Sequence, residues 1–244
     1  MKNVADWKPT KFELHRGRWR GSRDARELGV GSRLMCDLVA AAYQREMPRH
    51  TRGRLLDLGC GGVPLYGVYR PFVTEVTCVD WAAGAHVDLQ CDLSQPLPFD
   101  AGRFDTIVLS DVLEHIPEPA ALWHEIARVL SPGGKVVMNV PFYYSVHAHP
   151  HDYYRYTCFA LERFVNRSGL ALLTLQSFGG ICEILADLIA KALSKAPVVG
   201  PPLAITVQAV AGAFVRTGLG AKVAQASSRH FPLGYFMVAQ RPAA

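Results

Sequence analysis

The stretch with the clearest chemical meaning is LLDLGCGG, residues 55–62, in which an apolar run reaches an acidic residue and then breaks into glycines. This pattern predicts a buried strand that ends in a tight turn. Glycine is needed where the backbone takes a positive φ or lets a ligand lie directly against it. At the carboxyl end of a first strand in a doubly wound sheet, such a turn is the expected ligand crevice.

The spacing of the glycines narrows the choice of ligand. The dinucleotide fingerprint Gly-x-Gly-x-x-Gly is met at Gly59 and Gly61 but has Pro64 in place of its third glycine, which places a dinucleotide oxidoreductase last. The run instead resembles the Asp-x-Gly-x-Gly motif of the class I S-adenosylmethionine (SAM) methyltransferases. This resemblance implies that Asp57 meets the ammonium group of SAM and that Cys60 and its flanking glycines lie against the cofactor.

Further positions follow in the order and spacing of the same family. Asp80 ends the second predicted strand, 21 residues beyond Gly59, where one carboxylate can accept hydrogen bonds from both ribose hydroxyls. The resemblance assigns Asp92 to the adenine amino group and Leu93 to packing on the adenine ring. The other predicted cofactor-binding residues lie at strand ends: Trp81, Ser110 and Asp111.

The segment after the fifth predicted strand, residues 142–157, carries side chains suited to proton transfer and aromatic contact, with five tyrosines and three histidines. In an open α/β sheet this loop leaves the carboxyl edge beside the cofactor. An oxygen or nitrogen acceptor loses a proton during methylation, and histidine can take it near neutral pH. We therefore predict His147 as the catalytic base, followed by His149 and His151. The predicted substrate contacts are Tyr143, Tyr153 and Arg155.

Alternatives remain for the charged side chains of this region. Each histidine can instead bond to backbone or solvent, and for Arg155 an ion pair with Asp152 is favoured over a substrate anion. On a helix, Asp111, Glu114 and His115 would share one face, and some related O-methyltransferases hold a divalent ion on Glu-x-x-Glu-His. The first residue here is an aspartate, one methylene shorter. We therefore expect Glu114 and His115 to orient the loop and predict no metal.

The elements that must position these residues alternate between strand and helix. Strands are predicted at 54–58, 75–79, 86–89, 103–110, 135–140, 170–175 and 233–240. One helix is predicted at 34–45, and another has an apolar stripe that runs from Leu122 to Leu130. Over residues 55–140 the order of motifs resembles the broad type 11 class of methyltransferases. The resemblance implies an α/β fold, a doubly wound, mostly parallel seven-stranded sheet of the Rossmann-like methyltransferase type, with an antiparallel last strand.

Four segments are predicted along the chain: a basic N-terminal arm and helix (1–50), a SAM-binding core (51–180), an apolar helical insertion (181–231), and the final strand with a tail (232–244). Residues 1–54 hold 13 Lys and Arg against 6 Asp and Glu. Such an arm could contact nucleic acid, an anionic membrane or an acidic substrate, but a solvated arm packed over the domain is favoured. The insertion could be a lid, a dimer face or a membrane-surface element, and a buried helix pair is favoured.

Composition and motifs together predict a cytoplasmic SAM-dependent methyltransferase, with peripheral membrane association or a homodimer through 181–231 left open. The six cysteines are scattered without a Cys-x-x-Cys pair, and no apolar leader is recognisable at the N-terminus. The predicted reaction methylates an oxygen or nitrogen of a small-molecule acceptor, an apolar or lipid-linked one included. The alternatives are an RNA methyltransferase that uses the basic arm, although nucleic acid is not the expected partner, and a non-catalytic SAM-binding protein.

Overall fold

The computed structural model describes residues 1–243. Several short 3₁₀ turns join the strands and helices. In chain order these elements are β1 (Phe12–His15), β2 (Arg18–Gly21), α1 (Arg33–His50), β3 (Gly53–Leu58), α2 (Tyr66–Tyr69), β4 (Val73–Asp80), β5 (Leu89–Gln90), β6 (Phe104–Ser110), α3 (Pro119–Val129), β7 (Leu130–Pro141), α4 (Cys158–Arg167), β8 (Ala171–Phe178), α5 (Ile181–Leu193), α6 (Gly200–Val215), α7 (Gly218–Ser227) and β9 (Gly234–Gln240).

The described chain forms two compact units, which do not follow the predicted segment boundaries. The first, here the sheet unit, comprises Met1–Lys8, Arg45–Gln176 and residues 235–243. The second, the helical unit, comprises Pro9–Gln44 and Ser177–Gly234. Most of the predicted arm (1–50) therefore packs with the predicted insertion (181–231), because a buried glutamine of α6 bonds to the backbone that leads into α1.

The seven-stranded sheet has the order β5-β4-β3-β6-β7-β9-β8. The pairings of β4 with β5, β3 with β4, β3 with β6 and β6 with β7 are all parallel. The strand order reverses between β3 and β6, so the carboxyl ends of β3, β4 and β6 border one crevice. The predicted α/β fold, doubly wound and mostly parallel, is confirmed.

The core of the sheet unit follows from the apolar runs of its central strands. Leu55, Leu56 and Leu58 of β3 are fully buried, as strands covered on both faces require. On α3, Trp123 and Ile126 lie on the buried side, in agreement with the helical spacing of its apolar residues. Burial of these side chains holds the strand ends that carry the acidic residues.

The last strand runs antiparallel to its neighbour β7. The backbone of Arg241, just beyond β9, accepts from the N–H of Gly133 and donates to the carbonyl of Gly134, both near the start of β7. Strand β7 begins at Leu130, so the predicted extension of the preceding helix through Leu130 and the predicted strand start at 135 are wrong. The third predicted strand, 86–89, overlaps β5 only at Leu89, since β5 comprises Leu89–Gln90.

The helical unit contains a β-hairpin that the sequence interpretation missed. Strands β1 and β2 pair antiparallel across Arg16 and Gly17, both of which have positive φ, as the favoured two-residue hairpin turn requires. The other helical elements of the unit are the first part of α1 and helices α5, α6 and α7. Many of their apolar side chains are exposed, so the favoured prediction of a buried helix pair is wrong.

Among the described residues, no single helix meets the length and hydropathy expected of a bilayer-crossing segment. Helices α6 and α7 meet them only when taken together, and they are bent by 97° at the break between them.

Candidate functional site

The glycine loop after β3 has the backbone geometry that its sequence predicts. Gly59 and Gly61 have φ values of 69° and 50°, a region that L side chains seldom adopt. A Cβ on Gly59 would lie 2.5 Å from a methyl carbon of Val112. A Cβ on Gly61 would meet no described atom within 4 Å. Packing therefore requires the first glycine, whereas the second leaves open space beside the backbone.

Asp80 closes this loop from the end of β4. Its Oδ2 accepts a hydrogen bond of 2.7 Å from the backbone N–H of Gly61, and its Oδ1 accepts one of 3.0 Å from Ala82. The N–H groups of Gly59 and Cys60 donate to the carbonyl of Val79. The carboxylate and the glycine turn, 21 residues apart in sequence, therefore form one structural element. The ribose role of Asp80 stays a prediction.

A crevice of about 760 Å³ opens beside this element. It brings together nine of the residues predicted for cofactor, catalysis or substrate: Gly59, Asp80, Trp81, Asp92, Leu93, Asp111, His149, His151 and Tyr153. Residues that the sequence interpretation did not select complete its lining: Gln90, Cys91, Ser94, Val112, His115, Ile116, Pro117 and Ala148. A volume of this size can hold a ligand as large as an adenosyl amino acid.

Asp57, predicted to meet the ammonium group of SAM, lies behind the loop and outside the lining of the crevice. Its carboxylate is buried and accepts a 2.9 Å hydrogen bond from the Tyr69 hydroxyl. Burial raises the pKa of Asp57 to about 7, against the lowering effect of the Tyr69 bond. Cys60 is likewise buried and absent from the lining. Their contact with cofactor stays a prediction.

Asn139, a buried residue of β7 that was not selected from the sequence, holds the end of β6. Its Nδ2 donates to Asp111 Oδ1 at 2.6 Å, and its Oδ1 accepts from the Ser110 hydroxyl at 2.8 Å. The backbone of Asp111 has a φ of 53° and also donates to the Asn139 carbonyl. Ser110 therefore supports Asp111 and does not line the crevice.

The histidine- and tyrosine-rich loop is anchored on the turn that follows β6. The N–H groups of Tyr153 and Tyr154 donate to the carbonyl of Glu114, and the buried Tyr156 hydroxyl donates to the carbonyl of Leu113. These bonds place residues 147–153 beside the crevice.

Two of the three predicted substrate contacts lie elsewhere. Arg155 makes two hydrogen bonds to the Asp152 carboxylate, of 2.6 and 2.8 Å. This guanidinium holds the pKa of Asp152 well below its usual range. The predicted substrate role of Arg155 therefore gives way to the internal pair that the sequence favoured. Tyr143 packs edge-on against Phe142 and is absent from the crevice lining. Of the three predicted substrate contacts, Tyr153 alone lines the crevice.

Aromatic rings form one wall of the crevice. Trp81 is largely exposed, and its ring meets the His151 ring edge-on at 5.3 Å between centroids. His151 Nδ1 lies 3.2 Å from the Tyr153 hydroxyl. Flat, half-exposed rings of this kind offer stacking surface to adenine or to an aromatic acceptor.

His147 belongs to a cluster with Glu114 and His115 that combines one buried carboxylate and two imidazoles. The Nε2 atoms of His115 and His147 lie 3.7 and 3.8 Å from Glu114 Oε1, and their rings are 4.7 Å apart. Burial lowers the pKa of His147, so the imidazole is neutral at neutral pH. His115 lines the crevice and brings the cluster to its edge.

The hydrogen bonds of the two histidines decide which ring nitrogen carries a lone pair. His115 Nδ1 lies 2.6 Å from the His151 carbonyl, and His147 Nδ1 lies 3.2 Å from the Ser145 carbonyl. A carbonyl oxygen only accepts, so in the neutral rings each Nδ1 carries the proton. The Nε2 atoms of both rings lie near Glu114 Oε1, so a shared proton or a bound cation would satisfy all three groups.

One ligand atom from each of these three residues lies within 4.8 Å of the others, so the cluster could hold a divalent cation. The donor set of two imidazoles and a carboxylate suits zinc or another first-row metal. The metal site considered from the sequence combined Asp111 with Glu114 and His115. Asp111 is not part of the cluster, because residues 113–115 form a single 3₁₀ turn and Asp111 bonds to Asn139. His147 takes its place, and the prediction of no metal stays untested.

Comparison with known proteins places this geometry in a family. The methyltransferase domain family matches residues 27–179. Among curated relatives, a ubiquinone biosynthesis O-methyltransferase of Alkalilimnicola ehrlichii is 29% identical over 153 residues, which cover 57% of this chain and 60% of the relative. The chain thus spans roughly two fifths to three fifths of the length of the first curated relatives that it matches.

Solved structures share the fold at low identity. A SAM-dependent methyltransferase from Mesorhizobium loti has a TM-score of 0.53 at 18% identity, over 82% of this chain and 96% of that one. The [4+2]-cyclase SpnF has a TM-score of 0.57 at 18% identity, over 96% and 89%. These likenesses show the fold alone, and the cyclase demonstrates that one scaffold serves different reactions.

The family match covers more than half of the chain and includes the glycine loop, Asp80, the crevice and the loop that bears the histidines. The predicted resemblance to class I methyltransferases, whose cofactor is SAM, is confirmed. This chain belongs to the methyltransferase domain family.

Proposed function

We propose that this protein transfers the methyl group of SAM to a hydroxyl oxygen of a small aromatic or apolar acceptor. The observation that carries the proposal is the junction of the 760 Å³ crevice with the cluster of Glu114, His115 and His147. The crevice supports cofactor binding, and the cluster supports activation of an acceptor oxygen. The curated relatives are O-methyltransferases of ubiquinone biosynthesis, which supports the same acceptor atom.

The proposed reaction is an in-line displacement at the sulfonium methyl carbon. The acceptor oxygen attacks that carbon, a carbon–oxygen bond forms, and the carbon–sulfur bond breaks with its electron pair going to sulfur. S-adenosylhomocysteine leaves as a neutral thioether, and the hydroxyl proton goes to the cluster. Because the cofactor loses its positive charge in this step, the enzyme contributes mainly by positioning the two reactants.

The neutral His147 suits the role of proton acceptor. Its Nδ1 is directed to the Ser145 carbonyl and to Asp152, which leaves the Nε2 lone pair for the acceptor hydroxyl. Burial lowers its pKa, so this lone pair is available at neutral pH. The same nitrogen, together with a carboxylate oxygen of Glu114 and a ring nitrogen of His115, would hold a divalent ion. Such an ion would lower the pKa of the acceptor hydroxyl and orient it.

The acceptor class follows from the walls of the site. Trp81, His151 and Tyr153 offer ring faces and edges, whereas the guanidinium of Arg155 is taken up by Asp152. The site therefore favours an aromatic hydroxyl over a phosphorylated or carboxylated acceptor.

The test measures S-adenosylhomocysteine formation with phenols and catechols, with matched aromatic carboxylates and amines as comparison acceptors. We expect turnover with hydroxyl acceptors, and a loss of roughly 10²–10⁴-fold in kcat for His147→Gln with the affinity for SAM retained. His124→Gln, an exposed histidine of α3, is the matched control. If His147→Gln retains wild-type kcat, the proposed role of the cluster is wrong.

Dialysis against a chelator separates the two modes of activation. Activity that survives chelation assigns proton removal to His147 alone. Activity that is lost and then restored by a divalent ion assigns the cluster as a metal site. SAM binding without product from any acceptor would instead identify the non-catalytic alternative.

A further inference from the structure

Helix α5 exposes large apolar residues, while its buried side combines two carboxylates with Ile184, Ala186 and Ala190. It buries Glu183 and Asp187, the latter 1% exposed. Glu183 accepts from the backbone N–H at Gly180, and Asp187 pairs with Lys191. The large apolar residues Leu185, Leu188 and Ile189 are about half exposed. A helix on the surface of a globular protein in water usually exposes charged and polar residues, whereas the large exposed residues of α5 are apolar.

Helix α6 likewise exposes its large apolar residues, and it buries small and polar ones. Its buried positions include Ala204, Gln208 and Gly212, spaced four residues apart. The Gln208 side chain donates to the carbonyl of Val30 and accepts from the N–H of Leu34. Its exposed large side chains are apolar: Leu203, Ile205, Val210 and Phe214. Small and polar contacts within the protein, with apolar side chains outside, are the pattern of helices in contact with lipid.

The turn between α5 and α6 is also apolar and is bracketed by cations. Val198 and Val199 are 88% and 60% exposed. Residues 196–215 contain no charged side chain, and exposed Lys195 and Arg216 flank them. Residues 188–234 hold five Lys and Arg and no Asp or Glu. The charges that border the apolar surface are therefore of one sign.

A cavity of about 310 Å³ in the helical unit concentrates this positive charge beside α6. Arg23, Arg33 and Arg216 line it together with Asp37 and the outward-facing Ile205. Asp37 is paired with Arg23 at 2.8 Å. The Nε of Arg33 is buried without a hydrogen-bond partner among the described residues. The cavity thus offers guanidinium donors next to apolar side chains, which suits the phosphate of an anionic headgroup joined to acyl chains.

We propose that the outward surface of α5, α6 and their turn docks on an anionic lipid bilayer. This surface, the lipid-facing surface, is defined by Leu185, Leu188, Ile189, Val198, Val199, Leu203, Ile205, Val210 and Phe214. Its apolar side chains enter the boundary between headgroups and acyl chains, while Lys195, Arg216 and the arginine cavity contact headgroup phosphates. The 16 residues of α6 extend roughly 24 Å, less than the ~30 Å hydrocarbon core, so the helix lies in the interface. This inference does not depend on the proposed reaction.

The test is flotation of the full-length protein with vesicles of phosphatidylcholine alone or mixed with phosphatidylglycerol. We expect the wild type to float with the mixed vesicles, and binding to fall as salt is raised. Val210→Glu with Phe214→Glu should reduce the partition coefficient by at least about tenfold, because two apolar side chains that would enter the bilayer become charged. Arg216→Gln should reduce the preference for the anionic lipid.

Phe159→Glu is the matched control, because Phe159 is 78% exposed on α4, outside the lipid-facing surface. It should float like the wild type, and unchanged circular dichroism should show that all variants are folded. The proposal is overturned if the wild type does not float with the mixed vesicles. It is also overturned if Phe159→Glu loses as much binding as the double variant Val210→Glu with Phe214→Glu. It is also overturned if light scattering shows a dimer that Val210→Glu with Phe214→Glu dissociates without any vesicle binding, since a second copy would then cover the surface.

Discussion

At the scale of single residues, the two glycines of the loop after β3 have different surroundings. Gly61 and Gly59 stand in the same turn, yet the protein fills the space beside only one of them. The Asp80 carboxylate fixes the turn through the Gly61 N–H. The open side of Gly61 is therefore where a ligand can lie against the backbone.

Gly61→Ala separates a ligand contact from backbone strain. Gly61 and Gly169 both have positive φ, and a Cβ on either meets nothing within 4 Å. Each alanine variant should lose about 1–2 kcal/mol of unfolding free energy in urea denaturation. Only Gly61→Ala should weaken SAM binding in calorimetry, by at least about tenfold. Equal SAM affinity in the two variants would place the ligand elsewhere.

Asp57 should make stability fall as the pH rises. Its pKa is about 7 in the folded protein against 3.8 for the free side chain, so between these values the folded state binds the extra proton. The contribution is fully present below pH 3.8 and is lost as the pH rises through 7. Between pH 5 and 8 the wild type should lose about 2–3 kcal/mol more unfolding free energy than Asp57→Asn. Parallel pH profiles for the two proteins, measured by urea denaturation, would contradict this.

At the scale of elements, the crevice is held open by bonds between strand ends. Asn139 of β7 bonds to both Ser110 and Asp111 at the end of β6, and the parallel register of the two strands places them opposite each other. The histidine-bearing loop is likewise tied to the turn after β6 through the Glu114 carbonyl.

Asn139→Ala tests this junction. Loss of the buried amide should lower the unfolding free energy by about 1–3 kcal/mol and weaken SAM binding, because Asp111 lines the crevice. Asn166→Ala, on the exposed side of α4, is the control and should change neither quantity. An Asn139→Ala protein that is less stable but binds SAM normally would show that the junction does not shape the site.

The parts of the fold that could be predicted are those encoded in short stretches of sequence. The apolar run into Asp57 and the distance from Gly59 to Asp80 each depend on a single βαβ unit. The contact of His147 with Glu114 spans 33 residues and depends on the path of an irregular loop, which periodicity does not encode. The hairpin of β1 and β2 had a local signal, the Arg16–Gly17 turn between alternating residues, that was overlooked.

At the scale of the whole molecule, three arginines of the basic N-terminal arm are paired with acids of the same arm. Arg20, Arg23 and Arg26 pair with Glu13, Asp37 and Asp24 within the helical unit. This internal pairing disfavours the RNA methyltransferase alternative, because a nucleic-acid surface needs cations available to phosphate.

RNA binding offers a direct check on that alternative. In fluorescence anisotropy with a structured RNA at physiological salt, we expect only weak binding, without the steep salt dependence of many phosphate contacts. Substitution of Arg16 and Arg18 by Gln should leave methyl transfer to small acceptors unchanged. Tight, salt-sensitive RNA binding that these substitutions abolish would favour the alternative.

Titration calorimetry with SAM, on the wild type and on Asp80→Ala, tests the central claim most directly. We expect saturable 1:1 binding of SAM to the wild type. The affinity should be at least about tenfold lower for Asp80→Ala, because this change removes the carboxylate that holds the loop and is predicted to meet the cofactor. NAD should give no saturable heat. Absence of SAM binding to the folded wild type, or equal affinity in the two proteins, would contradict the account.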